Sequence, residues 1–141
     1  MKKRITRVLL VDDSRSFRTR IRSFLERDKN IQVVGEAADG VEAVDLIRRL
    51  QPDLVLLDME MPHLDGLGVI HRLAEEKLKP CILVFSGHVD EQFVEGVLEQ
   101  DVNGYLAKDI EPKRMVEAIC NAAAGRKLGF LSGLNGRTTA A

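Results

Sequence analysis

Residues 8–14 read VLLVDDS, and residues 53–66 read DLVLLDMEMPHLDG. In each, a run of apolar residues ends abruptly in carboxylates: Asp12 and Asp13 in the first, Asp58 in the second. A run apolar enough to be covered on both faces is the pattern of a central strand in a parallel sheet. Such a strand that stops at an acid delivers charge to one end of the sheet.

The rest of the chain repeats the beat. Short β-branched or Leu-rich runs recur as ITRVLLV, IQVVGE, DLVLLD, CILVFS and VNGYLAK. Between them lie stretches with helical spacing: Phe17, Ile21, Phe24 and Leu25; Leu67, Ile70, Ala74 and Leu78; Phe93 and Val97; Val116, Ile119, Cys120 and Ala123. Ser14 and Asp39 are suited to N-caps, Asp65 to a cap near its turn, and Pro112 to a first helical turn. Pro52 and Pro80 stand just before strands, where no ladder bond is lost.

This alternation predicts an α/β fold: a flavodoxin-like, doubly wound, five-stranded parallel sheet with five helices on its two faces and strand order 2-1-3-4-5. IQVVGE and VNGYLAK are the more mixed runs and are expected at the edges. In such a sheet ligands bind at the carboxyl ends of the strands, beside the switch point between strands 1 and 3. Asp12, Asp13 and Asp58 therefore converge.

Converging carboxylates raise one another's pKa, so a proton or a cation must resolve the repulsion. An all-oxygen cluster with few protein ligands suits Mg²⁺, with Mn²⁺ as a substitute. A helix cap needs one acid, and capping leaves Asp58 unexplained. Two more strand ends carry complementary groups, Ser86 and Lys108. A hydroxyl and an ammonium can hydrogen-bond and neutralise phosphoryl oxygens, and a carboxylate can act as nucleophile.

Composition agrees with an ordinary globular protein. The chain has 141 residues, 45% apolar and 30% charged, which fits one domain with a proper core. The net charge of -1 argues against nucleic-acid binding driven by charge. Cys81 and Cys120 fit no metal spacing and are expected as small buried hydrophobes in a reducing compartment. The basic start MKKRITRVLLVDD has too short an apolar run for a signal peptide, and no run approaches membrane-spanning length. A cytoplasmic protein with no membrane association is expected.

With these residues in place, the sequence resembles the receiver domains of bacterial two-component response regulators, chemotaxis-regulator-like, over about residues 5–125. The matching segments are LVDDS, DLVLLDMEMPHLDG, ILVFSG and GYLAKDIEP, in order. The resemblance implies that Asp58 is the phosphoacceptor. It implies that Asp12, Asp13, Asp58 and the backbone carbonyl of Glu60 hold Mg²⁺. Ser86 would bond the phosphoryl group, Lys108 would pair with it, and Tyr105 would be the switch aromatic that turns inward as Ser86 engages. Catalysis would be self-directed only, confined to phosphorylation and dephosphorylation of Asp58. The donor would be a sensor histidine kinase or a histidine phosphotransfer protein. The output would be a surface of helix 4, strand 5 and helix 5 presented to a downstream protein target or a fused effector domain; a homodimer stays open, and no direct nucleic-acid binding by this segment is expected.

Some positions depart from the family's pattern or vary within it. Most receivers follow the lysine with a cis proline; here Asp109 follows, and a trans bond is expected because a non-proline cis bond costs about 2.5–4 kcal/mol. This ending resembles receivers of LuxR-type regulators. Glu60 and His88 are candidates for setting the lifetime of the phosphorylated state, although His88 is read first as a cap of helix 4. Arg15, Arg18 and Arg22 share a face of helix 1, read first as solvated and alternatively as a kinase-docking surface. Pro62 would stiffen the exit from the acceptor, and Gly66 would permit close packing as helix 3 begins.

A phosphohydrolase of the haloacid-dehalogenase type also forms an aspartyl phosphate, but an acidic pair on strand 1 is foreign to it, and Glu60 is followed by Met61 instead of Thr or Val. A nucleotide binder would need a Gly-rich loop after strand 1. Residues 1–125 are expected to form the receiver, and 126–141 a C-terminal extension or tail, partly disordered. Leu128, Phe130, Leu131 and Leu134 could pack as a small extension, whereas GRTTAA has the composition of a disordered end. The chain is read as a stand-alone receiver or as one cut from a longer, DNA-binding regulator.

Overall fold

The apolar runs pair side by side. In the computed structural model, which describes residues 4–133, β1 (Thr6–Val11) lies parallel to β3 (Leu54–Leu57), with Val8 opposite Leu54 and Val11 opposite Leu57. β2 (Ile31–Ala37) flanks β1, and β4 (Cys81–Ser86) and β5 (Gly104–Ala107) follow β3 outward. The helices between them are α1 (Arg15–Leu25), α2 (Gly40–Leu50), α3 (Gly66–Glu75), α4 (Glu91–Leu98) and α5 (Pro112–Ala123).

Alternation along each strand sorts side chains into two layers. Leu9, Val11, Val55, Leu57, Ile82, Val84 and Tyr105 pack with residues of α2, α3 and α4. Val8, Leu10, Leu54, Leu56, Leu83, Phe85 and Leu106 pack with Leu25 of α1 and with Met115, Ala118, Ile119 and Ala122 of α5. Each fully buried Leu or Val contributes about 1.5–3 kcal/mol. Both layers are apolar where the strands cross the core: Val8–Val11, Leu54–Leu57 and Ile82–Phe85 carry no polar side chain.

The helix starts follow the capping residues. Ser14 accepts from the Phe17 N–H, Asp39 from Glu42 and Asp65 from Gly68, and Pro112 opens α5. No helix among the described residues is long and apolar enough to cross a membrane.

The structure corrects several expectations. The sheet has six strands: β6 (Phe130–Leu131) pairs in parallel outside β5, so the core order 2-1-3-4-5 gains a short sixth member. β5 is consequently not an edge, and all four of its residues are buried. Leu128 and Phe130 pack against the two core layers as a small extension, whereas Leu134 and GRTTAA lie outside the described residues. On α3 the buried face is Gly66, Val69, Ile70 and Leu73, and Ala74 is exposed. On α5 it is Met115, Ala118, Ile119 and Ala122, which turns Cys120 to solvent; Cys81, first in β4, is half-buried. Cys81 packs against the core but is only partly buried, and Cys120 is not buried. Of the expected stripes, Ile70 and Ile119 are buried and Leu67, Leu78, Val116 and Ala123 pack partly buried against the core, whereas the larger Leu73 and Met115 take the core in place of Ala74 and Cys120. His88 does not cap α4: Asp90 does, accepting from Phe93, because a carboxylate at that position aligns with the free N–H groups.

Candidate functional site

Two chain segments deliver the three acids, Asp12 and Asp13 after β1 and Asp58 after β3. The Asp12 N–H donates to the Ala37 carbonyl at 3.0 Å, and the Asp58 N–H donates to the Val11 carbonyl at 2.9 Å, so both acids emerge from the ladder at the same level. The carboxylate oxygens available from Asp12, Asp13 and Asp58 lie within 4.8 Å of one another. Asp12 and Asp58 are buried and Asp13 is exposed. The pocket has one wet side.

Lys108 follows β5 and is fixed by its N–H to the Ser86 carbonyl at 3.0 Å. Its Nζ lies 2.7 Å from Asp12 Oδ2, 3.6 Å from Asp58 Oδ2 and 4.4 Å from the Phe17 ring centroid. The bond to Asp109 is trans, since the described residues hold no cis peptide. Burial pushes the Asp58 carboxyl up to about 6; Lys108 opposes the rise, and the neighbouring Asp12 and Asp13 reinforce it. One ammonium does not neutralise three acids.

Ser86 is buried, and its Oγ accepts the His88 N–H at 3.0 Å. Tyr105 is also fully buried, and its hydroxyl donates to the His88 carbonyl. The backbone of His88 thus ties Ser86 to Tyr105. The His88 ring stacks on Phe93 at 4.2 Å. Glu60 is exposed, with its N–H 3.4 Å from Asp58 Oδ1.

The loop leaving Asp58 is held tightly. The Gly66 N–H donates to the Met59 carbonyl at 3.1 Å, and a Cβ on Gly66 would stand 2.7 Å from Met59 Cα and 2.8 Å from the Asp58 carbonyl oxygen. Only glycine fits there. His63 adopts the left-handed backbone (φ 69°), and its Nδ1 lies 2.9 Å from Asp39 Oδ2, which joins the loop to the cap of α2.

The arginines of α1 are neither a solvated face nor all free for docking. Arg18 donates to Glu36 at 2.9 Å and to the Asp12 carbonyl at 2.6 Å, and Arg22 donates to Glu36 at 2.8 Å. Burial alone would raise the Glu36 carboxyl, but Arg22 and Arg18 outweigh it and hold the group below its ordinary value. Arg15 and Arg20 remain exposed. The tie from Arg18 to the Asp12 backbone was not expected from the sequence, because nothing in the spacing of Glu36 on β2 points to α1.

An open parallel sheet whose strand ends gather oxygen-only acids, a hydroxyl and one ammonium defines a class: an α/β domain suited to a phosphoryl group and a hard cation. The chain belongs to the response regulator receiver domain family, whose model matches residues 8–120. It is 40% identical over 118 residues to the nitrate/nitrite response regulator protein NarL of Escherichia coli (strain K12), covering 84% of this chain and 55% of that one. It is 36% identical over 119 residues to the transcriptional regulatory protein LiaR of Bacillus subtilis (strain 168), covering 84% and 56%. Among solved structures it resembles the signal receiver domain of the putative response regulator NarL from Mycobacterium tuberculosis, at 35% identity and a TM-score of 0.83, covering 87% of this chain and 99% of that one. The chain spans about half the length of the curated relatives it matches. It is a receiver of two-component response regulators, a family whose function is phosphorylation on an aspartate.

Proposed function

We propose that Asp58 is the phosphoacceptor of this receiver. The observation that carries the reading is the pocket itself: carboxylate oxygens from three residues within 4.8 Å of one another, with a single ammonium 3.6 Å from Asp58. The donor set fits a hard divalent cation, because it is oxygen-only, partly open to water and short of positive charge. Asp12, Asp13, Asp58 and the Glu60 backbone carbonyl would hold Mg²⁺, or Mn²⁺ in its place. When bound, the ion neutralises phosphoryl oxygens and lowers their repulsion from the acids.

The side chains do the rest. An Asp58 oxygen attacks phosphorus, and the bond to the donor breaks with its electron pair leaving on the donor atom. Lys108 meets the incoming negative charge. The Ser86 oxygen accepts from His88, and its hydroxyl proton would turn to the phosphoryl oxygens. A phosphoryl group adds roughly -1.5 to -2 charge, drawing Ser86 and Lys108 towards it. Movement of Ser86 pulls on the His88 backbone and through it on Tyr105, which relays the change to the face of α4, β5 and α5. The chemistry is confined to Asp58 itself.

The donor is a sensor histidine kinase or a histidine phosphotransfer protein, and the output is a protein target or an effector domain in a longer regulator, as the longer relatives suggest. Glu60 and the His88 ring set how long the phosphoryl group survives. Replacing both with Ala changes the dephosphorylation rate under this reading; an unchanged rate removes them from the role.

The test is intact-protein mass after incubation with acetyl phosphate, with and without Mg²⁺, on wild type and Asp58→Asn. A metal-dependent gain of one phosphoryl group that the variant lacks is expected. Equal labelling of the variant would move the acceptor elsewhere.

A further inference from the structure

Lys108 carries its charge on a flexible four-carbon stem, so something must hold the ammonium where the chemistry needs it. Asp12 and Asp58 attract it, but both are groups for which the cation and the phosphoryl oxygens would compete. A third contact stays out of that competition. The Nζ stands 4.4 Å from the centroid of Phe17, inside the range where a ring's negative face attracts a cation.

The ring is itself fixed. Phe85, the residue before Ser86, packs against it with centroids 5.5 Å apart and planes tilted by 42°. Phe17 lies in the first turn of α1, its N–H bonded to the Ser14 cap at 3.2 Å, and it is half-buried. A second cation is near: Arg20 Cζ lies 5.4 Å from the same centroid, on an exposed side chain.

We propose that Phe17 is a positioning residue for phosphoryl transfer: its ring face holds the Lys108 ammonium beside Asp58. A carboxylate in that place would hold the lysine as firmly but would cancel its charge. An aromatic face orients the ammonium without adding a further negative charge to the two carboxylates already beside it. The inference rests on the assignment of Asp58 as acceptor and Lys108 as its counter-charge.

The experiment replaces Phe17 with mono-, di- and trifluorinated phenylalanine, which keep the ring's shape while withdrawing its negative face. The rate of phosphoryl incorporation from acetyl phosphate with Mg²⁺ is expected to fall stepwise, by about fivefold at three fluorines, while Phe17→Tyr stays within about twofold of wild type. A flat series with normally labelled wild type overturns the inference and leaves Asp58 as acceptor. Absence of labelling in wild type as well overturns the acceptor assignment and this role with it. A second measurement needs no turnover: the ε-methylene protons of Lys108 are expected upfield in the NMR spectrum of wild type and at ordinary positions in Phe17→Leu. Unshifted protons in wild type would place the ammonium away from the ring and end the proposal.

Discussion

Two acids at the strands that flank β1 on either side go opposite ways. Glu36, on β2, is met by two guanidiniums and held below its ordinary value. Asp58, just past β3, shares one ammonium with Asp12 and is pushed up to about 6. Asp58 is the more deeply buried and Glu36 is partly open to water, yet burial by itself pushes both carboxyls up. The count of partners turns the balance at Glu36. A matched acid is architecture, clamping α1 to β2; an under-matched acid is a group still seeking a positive charge.

The largest way to break this contrast is Asp58→Asn in cation-free buffer. The Asp58 carboxyl is held above its ordinary 3.8, so its protonation favours the fold. That contribution is complete below about pH 3.8 and lost as pH rises through about 6. At pH 8 the variant, relieved of the charge, is expected to be about 3 kcal/mol more stable than wild type, with the two curves converging towards pH 4. Chemical denaturation across that range checks it.

Next comes the cation itself. Free Mg²⁺ at a hundredfold excess over its dissociation constant is expected to stabilise wild type by about 2.7 kcal/mol. Asp58→Asn should gain visibly less. A thermal-shift titration compares them, and Glu36→Gln serves as the control that gains as much as wild type.

Glu36→Gln has the opposite sign. It strands Arg18 and Arg22 beside a neutral amide and is expected to lose about 2 kcal/mol at pH 7, with Glu36 partly open to solvent. The Glu36 carboxyl sits below its ordinary value, so its contribution is present at neutral pH and disappears as pH falls through the native value. The deficit should therefore close in acid. The two variants approach wild type from opposite sides, and parallel curves would refute the contrast. The smallest effect is Arg22→Met, about 1 kcal/mol, since Arg18 stays on Glu36 and Arg22 is 41% exposed.

Much of this was legible in the chain because it is written in local order. VLLV, LVLL and ILVF announce doubly covered strands, and the topology of an open parallel sheet brings Asp12, Asp13 and Asp58 together with no knowledge of distances. The Glu36 clamp was not legible, since it joins residues on two elements whose contact no periodicity encodes. β6 escaped for a different reason. Phe130 and Leu131 are too few to show alternation, and they form a strand only because β5 offers a ladder. On α3 and α5 a small residue, Ala74 or Cys120, continues the apolar spacing as well as the larger Leu73 or Met115 does, and only packing against the sheet decides between them.

That two-residue strand has a practical consequence. A fragment ended after Gly125 would lose β6 and bare the backbone row of β5, including the Tyr105 N–H that now donates to the Gly129 carbonyl at 3.2 Å. Unpaired strand edges of this kind recruit strands from other molecules. Protein prepared with that boundary is expected to self-associate with rising concentration, whereas a fragment that keeps residues to Gly133 retains its own molecular bumper.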